Sequence, residues 1–266
     1  MERKALLFVC LLVSTHAMAQ INKHDKKKKL RELSPDRPHQ TESPITVDAG
    51  HIMVETDLVN NTFYDKDYPH SSTTGLLYFN FKVGIQKNMD VEVMSNAFSF
   101  SRYEHHALPS TNTSLPDLTF RYKLNILGND SGRTSIAIMP FITTTNLVHE
   151  KWQAKTGGIL VNAEHLFKDK YELGYTGGLT TFTINPFFQQ HEWFSTVSFS
   201  YPLYKSLNHF IEISDRLNKV ASVRNNYSFD SGLTFTPTAN NQFDMGFYYF
   251  IPMKTLYIFI GTTIRI

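Results

Sequence analysis

Twelve charged side chains stand at polar positions of short segments in which every second residue is apolar. Spacing by two places side chains on one face of a β-strand, so these charges would gather on one side of a sheet. There they could pair with each other and fill an enclosed interior, or line a polar passage through it. The sequence leaves both roles open. The residues are Glu55, Asp57, Lys82, Glu92, Arg121, Lys123, Glu164, Glu172, Glu212, Asp230, Asp244 and Arg265.

One hairpin carries a specific expectation about pairing. The turn around 86–89 joins two alternating segments, with Val83 before it and Val91 after it. If these two valines lie opposite each other on the apolar face, Lys82 must lie opposite Glu92 on the other face. Oppositely charged side chains at directly facing positions stabilise a strand pair by roughly 0.2–1 kcal/mol. We expect this pair to be internal.

A second hairpin brings two acids together. Glu164 and Glu172 are close neighbours on the polar face of segments joined across Lys168–Lys170. Two adjacent buried carboxylates need a basic partner or must share one proton. Arg121 is the first candidate for that partner.

The sequence offers little for catalysis or metal binding. It has no nucleotide-binding glycine loop and no Gly-x-Ser-x-Gly motif. His70-Ser71-Ser72 with Asn80 is the nearest match to the catalytic groups of outer-membrane phospholipase A. An enzyme that acts on lipids needs these groups to face the lipid, but the alternation places Asn80 on the polar face of its segment. His105 and His106 are adjacent on a predicted loop and lack the spacing of a metal site. We therefore expect no enzymatic activity, no metal and no cofactor.

The alternation of apolar and polar residues predicts an all-β fold, a closed antiparallel transmembrane β-barrel of about twelve strands. One face of nearly every segment is apolar while the opposite face carries most of the charges, as lipid outside and an enclosed interior require. A secreted β-sandwich, the alternative, would have polar outer faces on some strands. The predicted strands are 50–59, 74–85, 90–98, 118–125, 134–143, 158–167, 171–182, 193–203, 209–216, 227–236, 242–249 and 255–266.

The lengths of the connections support this barrel. Turns near Lys87, Gly128, Asp169, Lys205 and Asn240 are short. The alternate connections near residues 64, 105, 151, 188 and 218 are longer, and the last, near residue 252, is short. Outer-membrane barrels have short periplasmic turns and longer extracellular loops. Both chain ends would then lie on the periplasmic side.

The N-terminal region predicts export. Arg3 and Lys4 precede the nine apolar residues Ala5–Val13, and Ala17-Met18-Ala19 forms a small-residue cleavage site. We assign residues 1–19 to a signal peptide, 20–44 to a flexible, Lys-rich periplasmic leader and 45–266 to the barrel. The four lysines at 26–29 form a solvated tail or contact acidic lipid headgroups.

The overall charge excludes one class of partner. With 26 Lys and Arg against 24 Asp and Glu, the chain carries a net charge of +2. A nucleic-acid-binding protein of this size would have a strongly basic balance or a basic surface stripe. We expect membrane lipids as partners and no nucleic acid.

One stretch of the leader resembles a known family. Asp36-Arg37-Pro38-His39-Gln40-Thr41-Glu42-Ser43-Pro44, then Thr46–His51 and a strand with Glu55-Thr56, is similar to the opening of the outer-membrane transporters called "MetA-pathway of phenol degradation", above all their Bacteroidetes members. The resemblance extends through 76–90, 116–123 and the C-terminal strands.

The resemblance implies a function that composition does not give. Transporters of this family are expected to pass aromatic or other small hydrophobic compounds across the outer membrane of Gram-negative cells. It supplies no motif of binding residues, so the lumen charges remain candidates from the strand pattern alone. The other interpretation that the sequence leaves open is a non-transporting barrel that acts as a structural or surface-binding protein.

Overall fold

The computed structural model describes residues 30–64, 70–103, 117–145, 153–185, 188–218 and 225–266. Within these ranges, no helix has the length and apolar character needed to cross a membrane. The predicted signal peptide and the four-lysine run lie outside the described residues.

Twelve strands account for most of the described backbone. A single-turn 3₁₀ helix, Lys168–Lys170, lies between the sixth and seventh strands. The strands are β1 Ile52–Phe63, β2 His70–Gln86, β3 Met89–Tyr103, β4 Leu118–Leu127, β5 Thr134–Thr145, β6 Gln153–Leu166, β7 Glu172–Asn185, β8 Phe188–Tyr204, β9 Leu207–Asn218, β10 Asn226–Thr238, β11 Asn241–Phe250 and β12 Thr255–Arg265.

The strands form one closed antiparallel barrel in which each strand pairs with its neighbours in sequence. Pairing of β1 with β12 closes the sheet. At the end of this seam, the backbone N–H of Ile52 donates to the carbonyl of Ile266 at 2.9 Å, and the N–H of Ile266 donates back at 2.8 Å. The predicted fold class and strand number are therefore confirmed.

The two faces of the sheet differ in the way that the alternation predicts. On β1, Met53, Glu55 and Asp57 are buried inside, while Val54 and Leu58 face outward. Outward-facing apolar side chains recur around the barrel and form its outer surface. They include Ile142, Ile159, Val161, Leu179, Val197, Ile213, Phe229, Met245, Ile258, Ile260 and Ile264.

The two rims differ in their connections, with one exception to our expectation. The turns after β2, β4, β6, β8 and β10 are short, and we call the end of the barrel that carries them the short-turn rim. The prediction of a long connection near residue 188 is wrong, because β7 continues to Asn185 and β8 begins at Phe188. Extended pairing of Asn185 with Phe188 reduces this connection to residues 186 and 187.

The largest departure from the sequence prediction concerns the leader. Residues 31–48, which we call the lumen loop, do not hang free on one side of the membrane. They lie inside the barrel, where they bond to side chains of β1–β4 and β7–β12. The prediction of a flexible leader is wrong for this part of 20–44, since charges on the wall supply the partners that its polar composition needs.

Candidate functional site: the occupied lumen

Asp36 is the centre of a charge cluster on one side of the lumen. Its Oδ2 lies 2.5 Å from Lys82 Nζ of β2, and its Oδ1 lies 2.8 Å from Lys123 Nζ of β4. Lys82 also contacts Glu55 Oε1 at 2.5 Å, and Lys123 contacts Glu92 Oε1 at 3.2 Å. Each carboxylate of the cluster thus faces an ammonium group, which is the condition for burying charge without a large penalty.

The charge state of Asp36 follows from these neighbours. Burial alone would raise the pKa of its carboxyl group, but the charges of Lys123 and Lys82, together with side-chain hydrogen bonds, outweigh burial and hold the pKa well below its ordinary value of 3.8. Asp36 is therefore ionised at neutral pH. The loop is bound on this side by a full negative charge between two lysines.

Three carboxylate groups in this cluster lie close enough together to suggest a metal site. One oxygen each from Asp36, Glu42 and Glu92 lie within 4.8 Å of one another. The ammonium group of Lys123 is 2.8 Å from Asp36 and 3.2 Å from Glu92. The lysine already provides the positive charge that a metal ion would bring, so the cluster is an ion-pair network.

Arg37 connects the loop to the two strands beside the seam. Its guanidinium lies 2.6 Å from Asp244 of β11 and also pairs with Asp57 of β1. The same group lies over the ring of Phe259 on β12, 5.5 Å from its centroid. Tyr257 donates a hydrogen bond of 2.7 Å to Asp57. Arg37 is thus held from β1, β11 and β12 at once.

Arg121 pairs with Glu42 of the lumen loop and not with the two acids that we expected. Arg121 Nη1 lies 2.5 Å from Glu42 Oε1 and 3.9 Å from Glu92 Oε2. The expectation that Arg121 neutralises Glu164 and Glu172 is therefore wrong. Those two acids lie on β6 and β7, on the other side of the loop, where both line a cavity that also includes residues of the loop.

Neutral donors bind the loop on the opposite wall. The backbone N–H groups of Gln40 and Thr41 donate to the two oxygens of Glu212 at 2.8 and 2.7 Å. The side-chain amide of Gln40 donates to Asp230 Oδ2 at 2.6 Å. The Thr41 hydroxyl lies 2.7 Å from the hydroxyl of Thr196 on β8. Two carboxylates that face each other across β9 and β10 are thus bound mainly by uncharged groups of the loop.

Both ends of the lumen loop are fixed at the short-turn rim. Arg31 Nε lies 2.9 Å from Asp48 Oδ1, which joins the start of the loop to its end. Arg265 at the end of β12 donates to the Arg31 carbonyl at 2.9 Å and pairs with Asp48 at 3.3 Å. Arg31 also donates to the carbonyl of Lys87, in the turn after β2.

Most of the twelve charged residues that the sequence analysis selected lie inside the barrel. The expected register of Val83 with Val91 and of Lys82 with Glu92 is confirmed. Lys82 and Glu92 are 4.0 Å apart, farther than either is from a closer partner in the cluster. Nine of the twelve candidates are buried inside the barrel: Glu55, Asp57, Lys82, Glu92, Lys123, Glu212, Asp230, Asp244 and Arg265.

Sequence reasoning missed the loop residues, although one signal pointed to them. The twelve candidates comprise eight acids and four bases. An enclosed interior with that excess of negative charge needs further cations and hydrogen-bond donors. Arg37, Gln40 and Thr41 supply three of these groups from outside the strands.

Two cavities flank the loop along the barrel axis. The larger, about 620 Å³, lies between the loop and the rim opposite the short turns, with Asn60, Thr73 and Phe182 in its wall. The smaller, about 140 Å³, lies towards the short-turn rim and includes Glu164 and Glu172. Arg37, Pro38, His39 and Glu42 line both cavities. These loop residues form the wall between them.

The larger cavity has an apolar side that the charge pattern did not predict. Met139, Leu160 and Phe194 form a buried cluster on β5, β6 and β8, with Phe141 packed against it. The guanidinium of Arg216 lies over the ring of Phe194, 4.1 Å from its centroid. Six aromatic residues contribute to the lining of this cavity: Tyr78, Phe141, Phe182, Phe194, Tyr248 and Tyr257.

No protein-family model and no curated protein matches this sequence. Among solved structures, the chain is similar to an outer membrane channel from Pseudomonas putida F1, with a TM-score of 0.52, 11% identity and coverage of 84% of this chain and 97% of that one. This similarity shows a shared fold.

Two further structures have lower scores. The toluene transporter TbuX from Ralstonia pickettii matches with a TM-score of 0.45, 9% identity and coverage of 90% of this chain and 94% of that one. The monoaromatic hydrocarbon channel CymD matches with a TM-score of 0.42, 7% identity and coverage of 82% and 88%.

Proposed function

We propose that this protein is an outer-membrane channel for small hydrophobic or aromatic compounds. The observation that carries the proposal is the cavity of about 620 Å³ inside a closed barrel, with aromatic side chains around it and a buried apolar cluster on one side. Cavities of this size and lining suit small organic molecules, which bury apolar surface while a few polar groups orient them.

The outer surface supports the location in a membrane. A belt of outward-facing aliphatic and aromatic residues surrounds a lumen that holds most of the buried charges. This distribution is that of transmembrane β-barrels in a lipid bilayer. The fold shared with a solved outer membrane channel agrees with it. Membrane lipids are then the partners of the outer surface, and neither an enzymatic activity nor a cofactor belongs to the proposal.

Uptake of toluene by intact Gram-negative cells that lack their main porins would test this proposal. Cells that produce the protein should take up toluene faster than cells without it. Leu160→Trp should reduce the increase, because Leu160 lines the cavity and a larger side chain would fill it. Leu179→Trp is the matched control, since Leu179 on the next strand is exposed on the outside. Uptake that stays at the level of cells without the protein, both for the wild type and for a folded variant that lacks the loop contacts, would refute the channel.

The charge network inside the lumen favours a second candidate. A barrel that does not transport, and instead acts as a structural or surface-binding protein, needs a filled and stable interior. The lumen loop, with Asp36, Arg37 and Glu42 all paired to the wall, provides such an interior. Under this second candidate, toluene uptake would stay at the background level in every variant, including one from which the loop contacts have been removed.

A further inference from the structure

We propose that the lumen loop is a removable plug, which withdraws through the short-turn rim to connect the two cavities. This inference rests on the proposed channel function and names the regulation of the same lumen. Four loop residues, Arg37, Pro38, His39 and Glu42, line both cavities, so a solute that crosses the barrel must pass them.

The path of the chain allows withdrawal. The loop starts at Arg31 and ends at Asp48, and these two residues form an ion pair of 2.9 Å. Arg265, beside the short-turn rim, binds both of them. A segment whose ends meet at one rim, as in an Ω-loop, enters and leaves on the same side and threads through nothing. It can therefore move out as a unit while its ends stay attached.

The contacts of the loop are of a kind that water can replace. Its buried apolar residues are Val47 and the three prolines Pro35, Pro38 and Pro44, and its other buried residues are Asp36, Thr41, Ser43 and Thr46. Hydrogen bonds exchanged for bonds to water change the free energy by little per bond, in contrast to exposed apolar surface. The loop has no helix or strand of its own to unfold. A lumen filled by water would hydrate both the loop and the charges of the wall.

The wall is nevertheless shaped to receive this segment. A Cβ atom added to Gly84 of β2 would lie 2.2 Å from the carbonyl oxygen of Asp48. One added to Gly261 of β12 would lie 2.0 Å from Arg37 Nη2. These two glycines give the loop room at positions where other strand residues would clash. The loop thus has a defined seat to which it can return.

The sequence permits a direct test by disulfide. Its single cysteine, Cys10, lies in the predicted signal peptide, so introduced pairs would be the only ones in the processed chain. The hydroxyls of Thr41 and Thr196 are 2.7 Å apart, close enough for two cysteine sulfurs in their place to bond. The double variant Thr41→Cys/Thr196→Cys would tie the loop to β8.

A matched control lies within the loop itself. The hydroxyls of Ser34 and Ser43 are 2.6 Å apart, and a disulfide between Ser34→Cys and Ser43→Cys would connect the loop only to itself. Both double variants carry two cysteines, but only the first ties the loop to the wall and so prevents withdrawal. A third variant replaces residues 36–42 by glycine and serine and keeps both ends. Its folding is checked by the heat-dependent shift of the barrel in gel electrophoresis.

Toluene uptake by cells is measured for all variants, with and without dithiothreitol. The proposal expects loss of uptake in the oxidised Thr41→Cys/Thr196→Cys protein, recovery on reduction, and no effect of oxidation on the Ser34→Cys/Ser43→Cys protein. Uptake by the glycine–serine variant but not by the wild type would also support a plug.

Two results would overturn the proposal, and they differ in what they say about the channel. If the wild type takes up toluene and the oxidised Thr41→Cys/Thr196→Cys protein does so equally, the loop need not move, and the channel function stands without this inference. If no variant raises uptake, including the folded glycine–serine variant, both the plug and the channel are refuted.

Discussion

Asp36 of the lumen loop and Lys82 of β2 are held 2.5 Å apart inside the barrel, and Lys82 is at the same distance from Glu55 of β1. One lysine thus pairs with a carboxylate of the wall and a carboxylate of the loop. The stability of the barrel and the seating of the loop depend on the same side chain.

Replacement of Lys82 should therefore be costly. Lys82→Met leaves Glu55 without its closest cation and Asp36 with Lys123 alone, and breaking a buried ion pair from one side costs about 3–5 kcal/mol. Unfolding by urea in lipid vesicles would measure this loss. Lys87→Met is the control, because Lys87 pairs with Asp130 at 2.6 Å but its side chain is 72% exposed. The control should lose no more than about 1 kcal/mol. Similar losses for both lysines would contradict the network.

The acid dependence of stability should report on Asp36. Its pKa is lower in the folded protein than its ordinary value of 3.8. Stability from this carboxylate is therefore fully present above pH 3.8 and is lost as the pH falls through the lowered folded value. The difference in unfolding free energy between wild type and Asp36→Asn should be constant from about pH 5 to 7 and shrink in stronger acid. A difference that stays constant in acid would show that the charge of Asp36 does not hold the loop.

The close approach of the loop to β2 predicts the effect of a single methyl group. Gly84→Ala would place its Cβ 2.2 Å from the backbone of Asp48, so either the loop or the strand must shift. Overpacking of this kind costs about 1–3 kcal/mol. In Gly157→Ala the nearest atom would be the Phe141 carbonyl oxygen at 3.4 Å, and this control should be nearly neutral.

Labelling of a cysteine at position 41 would show whether the methyl group displaces the loop. Thr41 is buried in the native protein. A membrane-impermeant maleimide should react faster with Thr41→Cys when Gly84→Ala is also present. Unchanged labelling in both glycine variants would mean that the wall does not shape the seat of the loop.

A charged substitution on the outward face of β9 tests whether that face contacts lipid. Ile213 faces outward near the middle of its strand and is 61% exposed in the isolated chain. Ile213→Lys should lower the free energy of unfolding in lipid vesicles by about 2–4 kcal/mol, the cost of a lysine near the bilayer midplane. Tyr204→Lys, at the end of β8 beside the short-turn rim, should cost at most about 1 kcal/mol. Equal small losses would place both residues in water.

Much of the barrel could be predicted from the alternation because that pattern is local. Residues such as Val83 and Lys82 fix which face of β2 is outside, and the turn after them fixes the register with β3. The ends of strands were less predictable. Asn185 and Phe188 extend β7 and β8 beyond their alternating cores, since backbone pairing needs no apolar side chains.

The lumen loop could not be predicted in the same way. Its sequence is polar and rich in proline, a composition that is typical of disordered segments. What orders it lies far along the chain: Arg37 pairs with Asp244, 207 residues away, and Gln40 with Asp230, 190 residues away. Such contacts leave no periodic signal, and only the excess of acids over bases among the strand residues indicated that a partner was missing.

Arg37 bridges the two ends of the sheet, because Asp57 belongs to the first strand and Asp244 to the eleventh. These two acids become neighbours only when the twelfth strand has been inserted between their strands. The folding chain therefore has no complete docking position for this arginine until its sheet has closed into a barrel. The complete set of contacts that fixes the loop in the interior is therefore present only in the finished barrel, and a half-assembled barrel lacks it.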